Sequence, residues 1–521
     1  MASSTPRLAF PAGSPESAAL EDAAGTCSYA ELERAAGGAA AALLAAAGRG
    51  DPAADLEGRR VALLAPPGAE FAAALLGIWR AGGVAVPLAA MHPPGEHAHV
   101  LDDSEVALAL AHPDDLPRLE PLAPERGLTL LSAAEALSAP HRTLPPVDPA
   151  RPALILYTSG TTGRPKGAIH TQASLAAQVE AMIAAWGWTA ADRILHVLPL
   201  HHTHGLVNCL LTPLAAGACC EFGPPRFDPE ATWRRLAAGG ISVFMAVPTI
   251  YARLLEAFGA APAAERTAWR AAARALRLAV SGSAALPAAL AERWREIAGV
   301  PPLERYGMTE IGMALANPLD GDRVPGAVGT PMPGVEVRLV DDDGRPAAAG
   351  AGSGSESGEL EVRGPQLFAG YWRRPEETAA AMRPGGWFRT GDEAAVEGGI
   401  YRILGRKSVD VLKVGGYKLS ALEVEAVLAS HPEVAECAVI GAPDPEYGQR
   451  VAAAVVPRDP AAAPSLDALR AWAGDRLAPY KLPTRLLVLD ELPRNPLGKV
   501  TKPALAERFA AVTADRRARG G

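Results

Sequence analysis

Three consecutive segments alternate in a way that few folds accommodate. RRVALLAP (59–66) is the continuous apolar run of a buried strand, AEFAAALLGIWRAG (69–82) has helical periodicity, and VAVPL (84–88) is again a buried strand. The pattern resumes with SEVALALAH (104–112). Apolar strands separated by helices predict an α/β fold of parallel sheets covered by helices. The 521 residues exceed what one core organises, so at least two domains are expected. Alanine is abundant throughout, which raises helix propensity everywhere and blurs the element boundaries.

Near residue 405 the texture changes. Short strands VAECAVI (434–440), VAAAVV (451–456) and RLLVLD (485–490) are separated by the helical segments LSALEVEAVLAS and SLDALRAWAGDRL. This predicts a separate small α+β domain of about a hundred residues. The expected division is a large body, 1–405, and a small domain, 406–521. The small, polar segment PAAAGAGSGSESGE (346–359) is expected to be a surface loop between strands.

Charge narrows the partners. With 50 basic against 58 acidic residues the net charge is -8, and no long basic run is present, which argues against a nucleic-acid or anionic-membrane surface. A small anionic substrate would instead need a local positive site. No apolar run approaches the roughly 18 residues of a membrane helix, and the start, MASSTPRLAFPAGSPESAALED, reads as neither a secretory signal nor a transit peptide. Cys27, Cys209, Cys219, Cys220 and Cys437 form no CxxC pair, which suits reduced, mostly buried thiols in a cytoplasmic protein.

The stretch YTSGTTGRPKG (157–167) follows the buried-strand pattern RPALILY. Its Ser and Thr cluster, its lysine and the glycines Gly160, Gly163 and Gly167 suggest a phosphate cradle, the glycines permitting positive φ and inward N–H groups. It is not a Walker A loop, because Lys166 precedes Gly167 where that motif requires Ser or Thr.

YTSGTTGRPKG resembles the signature loop of the acyl-adenylating superfamily, which includes acyl-CoA synthetases, peptide-synthetase adenylation domains and luciferases. Further motifs occur in that family's order: LERYGMTE (303–310), GYWRRPEET (370–378), WFRTGD (387–392), GRKSVDVLKVGGYKLSALEVE (405–425) and LPRNPLGKVTK (492–502). The form GR, three residues, then DVLKVGGYKLSALEVE is most similar to the malonyl-CoA synthetase branch. The resemblance implies parallel or mixed sheets with a small barrel-like subdomain in the large domain, and a mobile C-terminal domain.

It also implies roles. Thr158, Ser159, Gly160, Thr161, Thr162, Gly163 and Lys166 would cradle the ATP phosphates. Gly282, Ser283 and Ala284, in SGSAALP (281–287), would contact adenine and line the acyl pocket, with Tyr306 stacking on the base and Gly307 and Met308 beside it. Thr309 would hold the α-phosphate and Glu310 the Mg²⁺ that bridges phosphate oxygens, a hard cation suited to carboxylate oxygen. Asp392 would accept hydrogen bonds from the ribose hydroxyls, with Arg406 nearby.

The resemblance makes Lys499 the lysine carried into the site during adenylation, where an ammonium stabilises charge building on phosphate and leaving diphosphate. It implies that the small domain then rotates to bring Gly415, Gly416 and Tyr417 to the tunnel through which the coenzyme A thiol enters. The pivot falls within 407–409, with Lys407 and Ser408 as candidates; here the chain departs from many relatives by placing Lys407, Ser408 and Val409 before Asp410.

Arg305, next to Tyr306, could clamp a second carboxylate in bidentate fashion, assisted by Ser283 and His204. The bland alternative is an arginine facing solvent or Glu304. The expected substrate is therefore malonate or a close dicarboxylate such as methylmalonate. In PLHHTHG (199–205) the resemblance makes His202 a gate between acyl pocket and thiol tunnel, whereas a zinc centre would need further convergent ligands. Three competitors share these motifs: a short-chain monocarboxylate CoA synthetase, an adenylating enzyme that loads a carrier protein, and a nucleotide sensor without catalysis. Oligomeric state is not legible in the chain.

Overall fold

The computed structural model describes residues 13–51, 53–140, 142–144, 146–158, 165–341, 343–347, 356–407, 409–414, 417–444, 448–494 and 500–519. Two large sheets dominate it. The first has seven strands in the spatial order Gly370–Tyr371, Lys166–Thr171, Pro152–Thr158, Val84–Pro87, Arg60–Leu64, Leu108–Ala111 and Thr129–Ser132. From Pro152–Thr158 onward the neighbours are parallel, and the alternation around residues 59–112 forms its centre. The second has nine strands, parallel from Leu303–Met308 through to Ala18–Asp22, with antiparallel additions at both edges.

Local signals explain where helices begin. Ser28 and Glu31 form a reciprocal capping box at Tyr29–Ala46, and Thr171 with Ser174 does the same at Gln172–Trp186, which Gly187 ends in the left-handed conformation. One face of the seven-stranded sheet shares a core with the nine-stranded sheet and its helices, including the stacked Trp233, Trp269 and Trp294, while its other face, with Ala62, Leu64, Val84 and Val86, packs in a separate cluster with Val100 and Leu101.

A third sheet is antiparallel: Glu336–Val340, Glu356–Arg363, Trp387–Glu397, Met382–Arg383 and Ile400–Arg406. Its pairing is open among the described residues. The expected loop 346–359 ends early, because Glu356 already opens a strand whose polar residues pair with Trp387–Glu397. Polar composition marked a loop where cross-strand pairing begins an interior strand of the sheet.

A fourth, mixed sheet holds Tyr417–Ser420, Val411–Val414, Gly448–Pro457, Val434–Asp444 and Arg485–Val488. Helices Ala421–Ala429, capped by Ser420, and Leu466–Gly474, capped by Ser465, cover one face, and Lys502–Arg519 lies against the other. Both apolar clusters of this sheet consist of residues beyond 411. All five cysteines are free, and no helix among the described residues is long and apolar enough to cross a membrane.

Candidate active site

The ends of the two large sheets and the antiparallel sheet enclose a cavity of about 1180 Å³. Thr158 and Lys166 reach it from Pro152–Thr158 and Lys166–Thr171, which pair antiparallel with Thr158 opposite Lys166. Ser159, Gly160, Thr161, Thr162 and Gly163 lie outside the described residues. Lys166 ion-pairs with Glu377 and lies over the Tyr371 ring at 5.5 Å. The expectation of positive φ at Gly167 is corrected: it is absent from the left-handed glycines, and a Cβ there would sit 2.6 Å from Ile155 Cγ2. Close packing against the neighbouring strand, not turn freedom, requires that glycine.

Thr309 and Glu310 occupy the turn between Leu303–Met308 and Gly312–Ala316, and Gly307, Met308 and both turn residues line the cavity. His170 Nε2 lies 2.8 Å from the Thr309 carbonyl, the Phe368 N–H donates to the Glu310 carbonyl at 2.9 Å, and the Tyr371 hydroxyl donates to Glu310 Oε1 at 2.8 Å. Glu310 is 7% exposed and has no cationic partner among the described residues. A nearly buried carboxylate in that state suits a hard divalent cation that takes its other ligands from phosphate and water. No group of three or more His, Cys, Asp or Glu among the described residues is arranged to hold a metal by itself.

At one end of the cavity, Ser281 closes the strand Leu278–Ser281 and Ser283 follows at φ +68°. Arg305 is 6% exposed, so the solvent-facing alternative is excluded. Its Nη2 donates to Ser283 Oγ at 3.4 Å, its Nε has no partner, and no carboxylate among the described residues ion-pairs with it. Burial lowers its pKa to about 10, leaving it charged near neutrality. Gly282 does not line the cavity; it is required behind Arg305, where a Cβ would lie 2.5 Å from Nε.

His204 Nδ1 lies 3.2 Å from Ser283 Oγ, and its Nε2 is buried without a partner. Burial, then the Arg305 charge, holds its pKa well below the usual range, so the ring is neutral. His202 lines the cavity with its ring 4.2 Å from that of His201, whose pKa burial lowers to about 3.

Glu304 makes no ion pair with Arg305 and accepts from the Gly326 N–H at 2.8 Å. Burial raises its pKa to about 7 from 4.5. The folded protein therefore keeps a proton that the unfolded chain has already lost, and stability falls as pH rises from about 4.5 to 7. Denaturant unfolding at pH 5 and pH 8 should show this component, on the order of 3 kcal/mol, and Glu304→Gln should remove it. An unchanged difference between the two pH values in the variant would exclude Glu304 as its source.

At the opposite end, Asp392 is clasped by Arg406 Nε at 2.7 Å and by the Tyr306 hydroxyl at 2.5 Å. Burial raises the pKa of Asp392 even beside Arg406. Ala284, Tyr306, Asp392 and Arg406 all line the cavity.

Lys407 follows directly, with its N–H on the Gly391 carbonyl at 2.8 Å and its ammonium 3.3 Å from Glu359, which also pairs with Arg389 at 3.3 Å. Ser408, Gly415, Gly416 and Lys499 lie outside the described residues, and Tyr417 opens the strand paired with Val411–Val414. Farther along the chain, Lys502 Nζ binds Asp410 at 2.5 Å and Glu425 at 2.7 Å, tying the start of the last helix to residues near 410. Sequence reasoning missed His170, Tyr371, Glu359 and Glu377 as supports. Tyr371 and Glu377 at least sit inside the quoted GYWRRPEET segment.

The AMP-binding enzyme family matches residues 9–372, and the AMP-binding enzyme C-terminal domain matches 423–499. A mitochondrial malonate–CoA ligase of Xenopus laevis is 45% identical over 490 residues, covering 88% of this chain and 84% of that protein. The crystal structure of ATP-bound MatB from Rhodopseudomonas palustris is similar with a TM-score of 0.84 at 36% identity, covering 95% and 96% of the two chains. A malonyl-CoA ligase solved with methylmalonyl-CoA and AMP is similar with a TM-score of 0.67 at 40% identity, covering 93% and 98%.

Proposed function

The chain belongs to the AMP-binding enzyme family, and from that premise we propose that it is a ligase joining malonate, or methylmalonate, to coenzyme A at the expense of Mg-ATP. A carboxylate oxygen of malonate attacks the α-phosphorus of ATP, the bond to diphosphate breaks, and malonyl-AMP forms. The thiol sulfur of coenzyme A then attacks the acyl carbon, AMP leaves with the electron pair of the C–O bond, and the thiol proton passes to solvent.

One observation carries the choice of acid: Arg305 is a buried cation without a carboxylate partner among the described residues, beside Ser283 and His204. A second carboxylate supplies the missing charge, whereas a monocarboxylate leaves the guanidinium desolvated and unpaired. With Ser283 donating to Nδ1, neutral His204 presents Nε2–H as a further donor.

Thr158 and Lys166 take the phosphates, Lys166 exchanging Glu377 for them, and Tyr306, Asp392 and Arg406 take the nucleoside. Bound at Glu310, Mg²⁺ would neutralise phosphate charge. We assign 1–405 to the body and 406–521 to the moving domain, with Lys499 delivered for adenylation and Gly415, Gly416 and Tyr417 for thioester formation. The five free thiols favour a reducing compartment, and we place the enzyme in the cytoplasm; fractionation of the source cells tests that.

Diphosphate release measured with a panel of mono- and dicarboxylic acids, with coenzyme A present, tests the reading. Malonate and methylmalonate should dominate. Preference for acetate or propionate, or turnover only with a phosphopantetheinylated carrier protein, would overturn it.

A further inference from the structure

We infer that His170 is a positioning residue that holds the Thr309–Glu310 turn in place from the strand that leaves the phosphate loop. This rests on the reading of Glu310 as the carboxylate that meets the cation. His170 is 1% exposed on Lys166–Thr171, four residues beyond Lys166, and does not line the cavity.

A carbonyl oxygen only accepts, so Nε2, 2.8 Å from the Thr309 carbonyl, carries the ring proton. Nδ1 is then an acceptor, and it faces Gln178 Nε2 at 3.3 Å and Ser174 Oγ at 3.5 Å. Gln178 Nε2 also donates to the Gln366 carbonyl at 3.1 Å. Burial lowers the His170 pKa to about 4, which keeps this single tautomer at neutral pH.

The network joins four pieces of chain: the strand from the phosphate loop, the helix Gln172–Trp186, the turn, and the segment that leads to Tyr371. The turn is held at several points from two neighbouring strands. His170 fixes the Thr309 carbonyl, while Phe368 fixes the Glu310 carbonyl and Tyr371 the Glu310 carboxylate. Removing His170 releases the Thr309 side of that grip and lets the carboxylate wander from the geometry a cation needs.

The test uses Mn²⁺ as the probe, titrated by electron paramagnetic resonance into ATP-loaded protein, with ATP binding in EDTA measured by calorimetry. H170L, which has no donor, should weaken Mn²⁺ binding about tenfold, the scale of one buried hydrogen bond, and leave metal-free ATP binding within about twofold. H170Q, whose Nε2 can still reach the Thr309 carbonyl, should recover most of the loss. Should H170L not fold, H170N, too short to reach that carbonyl, takes its place. Unchanged Mn²⁺ binding in H170L, or equal losses of metal-dependent and metal-free binding, would overturn the inference. Absence of diphosphate exchange in the unaltered protein would count against the proposed activity alone, because the Mn²⁺ titration reads the turn directly.

Discussion

Lys499→Ala is expected to reduce malonate-dependent exchange of labelled diphosphate into ATP by about 10²- to 10³-fold, the scale for loss of a preorganised electrostatic donor. Charge grows on the α-phosphate and on leaving diphosphate only as the first half reaction passes its transition state, so the ammonium matters most there. Thioester formation from supplied malonyl-AMP and coenzyme A should stay within about threefold of the unaltered enzyme, since no phosphorus–oxygen bond to diphosphate breaks in it. The segment bearing Lys499 is fastened at its base, where Arg494 and Val500 form an isolated bridge and the Thr501 N–H donates to the Pro493 carbonyl at 2.8 Å. A thermal-unfolding midpoint close to that of the unaltered protein is expected for the variant. Equal damage to both half reactions would contradict a domain that presents different residues in turn.

Arg305→Leu should act on two observables in opposite directions. Malonate kcat/KM is expected to fall about 100- to 1000-fold, the range for losing one member of a buried charge pair, while propionate turnover holds or rises. The unliganded protein should become more stable, by about 1 kcal/mol or more, because an uncompensated buried cation is replaced by an apolar side chain. Kinetics across the acid panel and denaturant unfolding check both. Unchanged malonate kinetics would remove the basis for the dicarboxylate reading; lower stability would mean that Arg305 is compensated within the fold.

Much of this was legible because local patterns carried it. The alternation around residues 59–112 became the centre of a parallel sheet, and Thr158, Lys166, Arg305, Tyr306, Thr309, Glu310, Asp392 and Arg406 line one cavity although they are spread over 249 positions. What stayed hidden depends on pairing between distant segments. Nothing near His170 in the chain announces that its ring meets a carbonyl 139 residues away. Gly167 has the composition of a turn, yet its strand register and the Ile155 side chain decide its role. Glu356 looked like loop for the same reason, since its partner Val396 lies on a strand 40 positions on.

The cluster of Lys502 with Asp410 and Glu425 bears on how torque travels through the small domain. If 407–409 is the swivel, Asp410 sits at the fulcrum and Lys502 three positions behind the lysine at the working tip. Because Lys502 ties that fulcrum to the start of the last helix, a few degrees of twist at the swivel would turn the base of that helix with it.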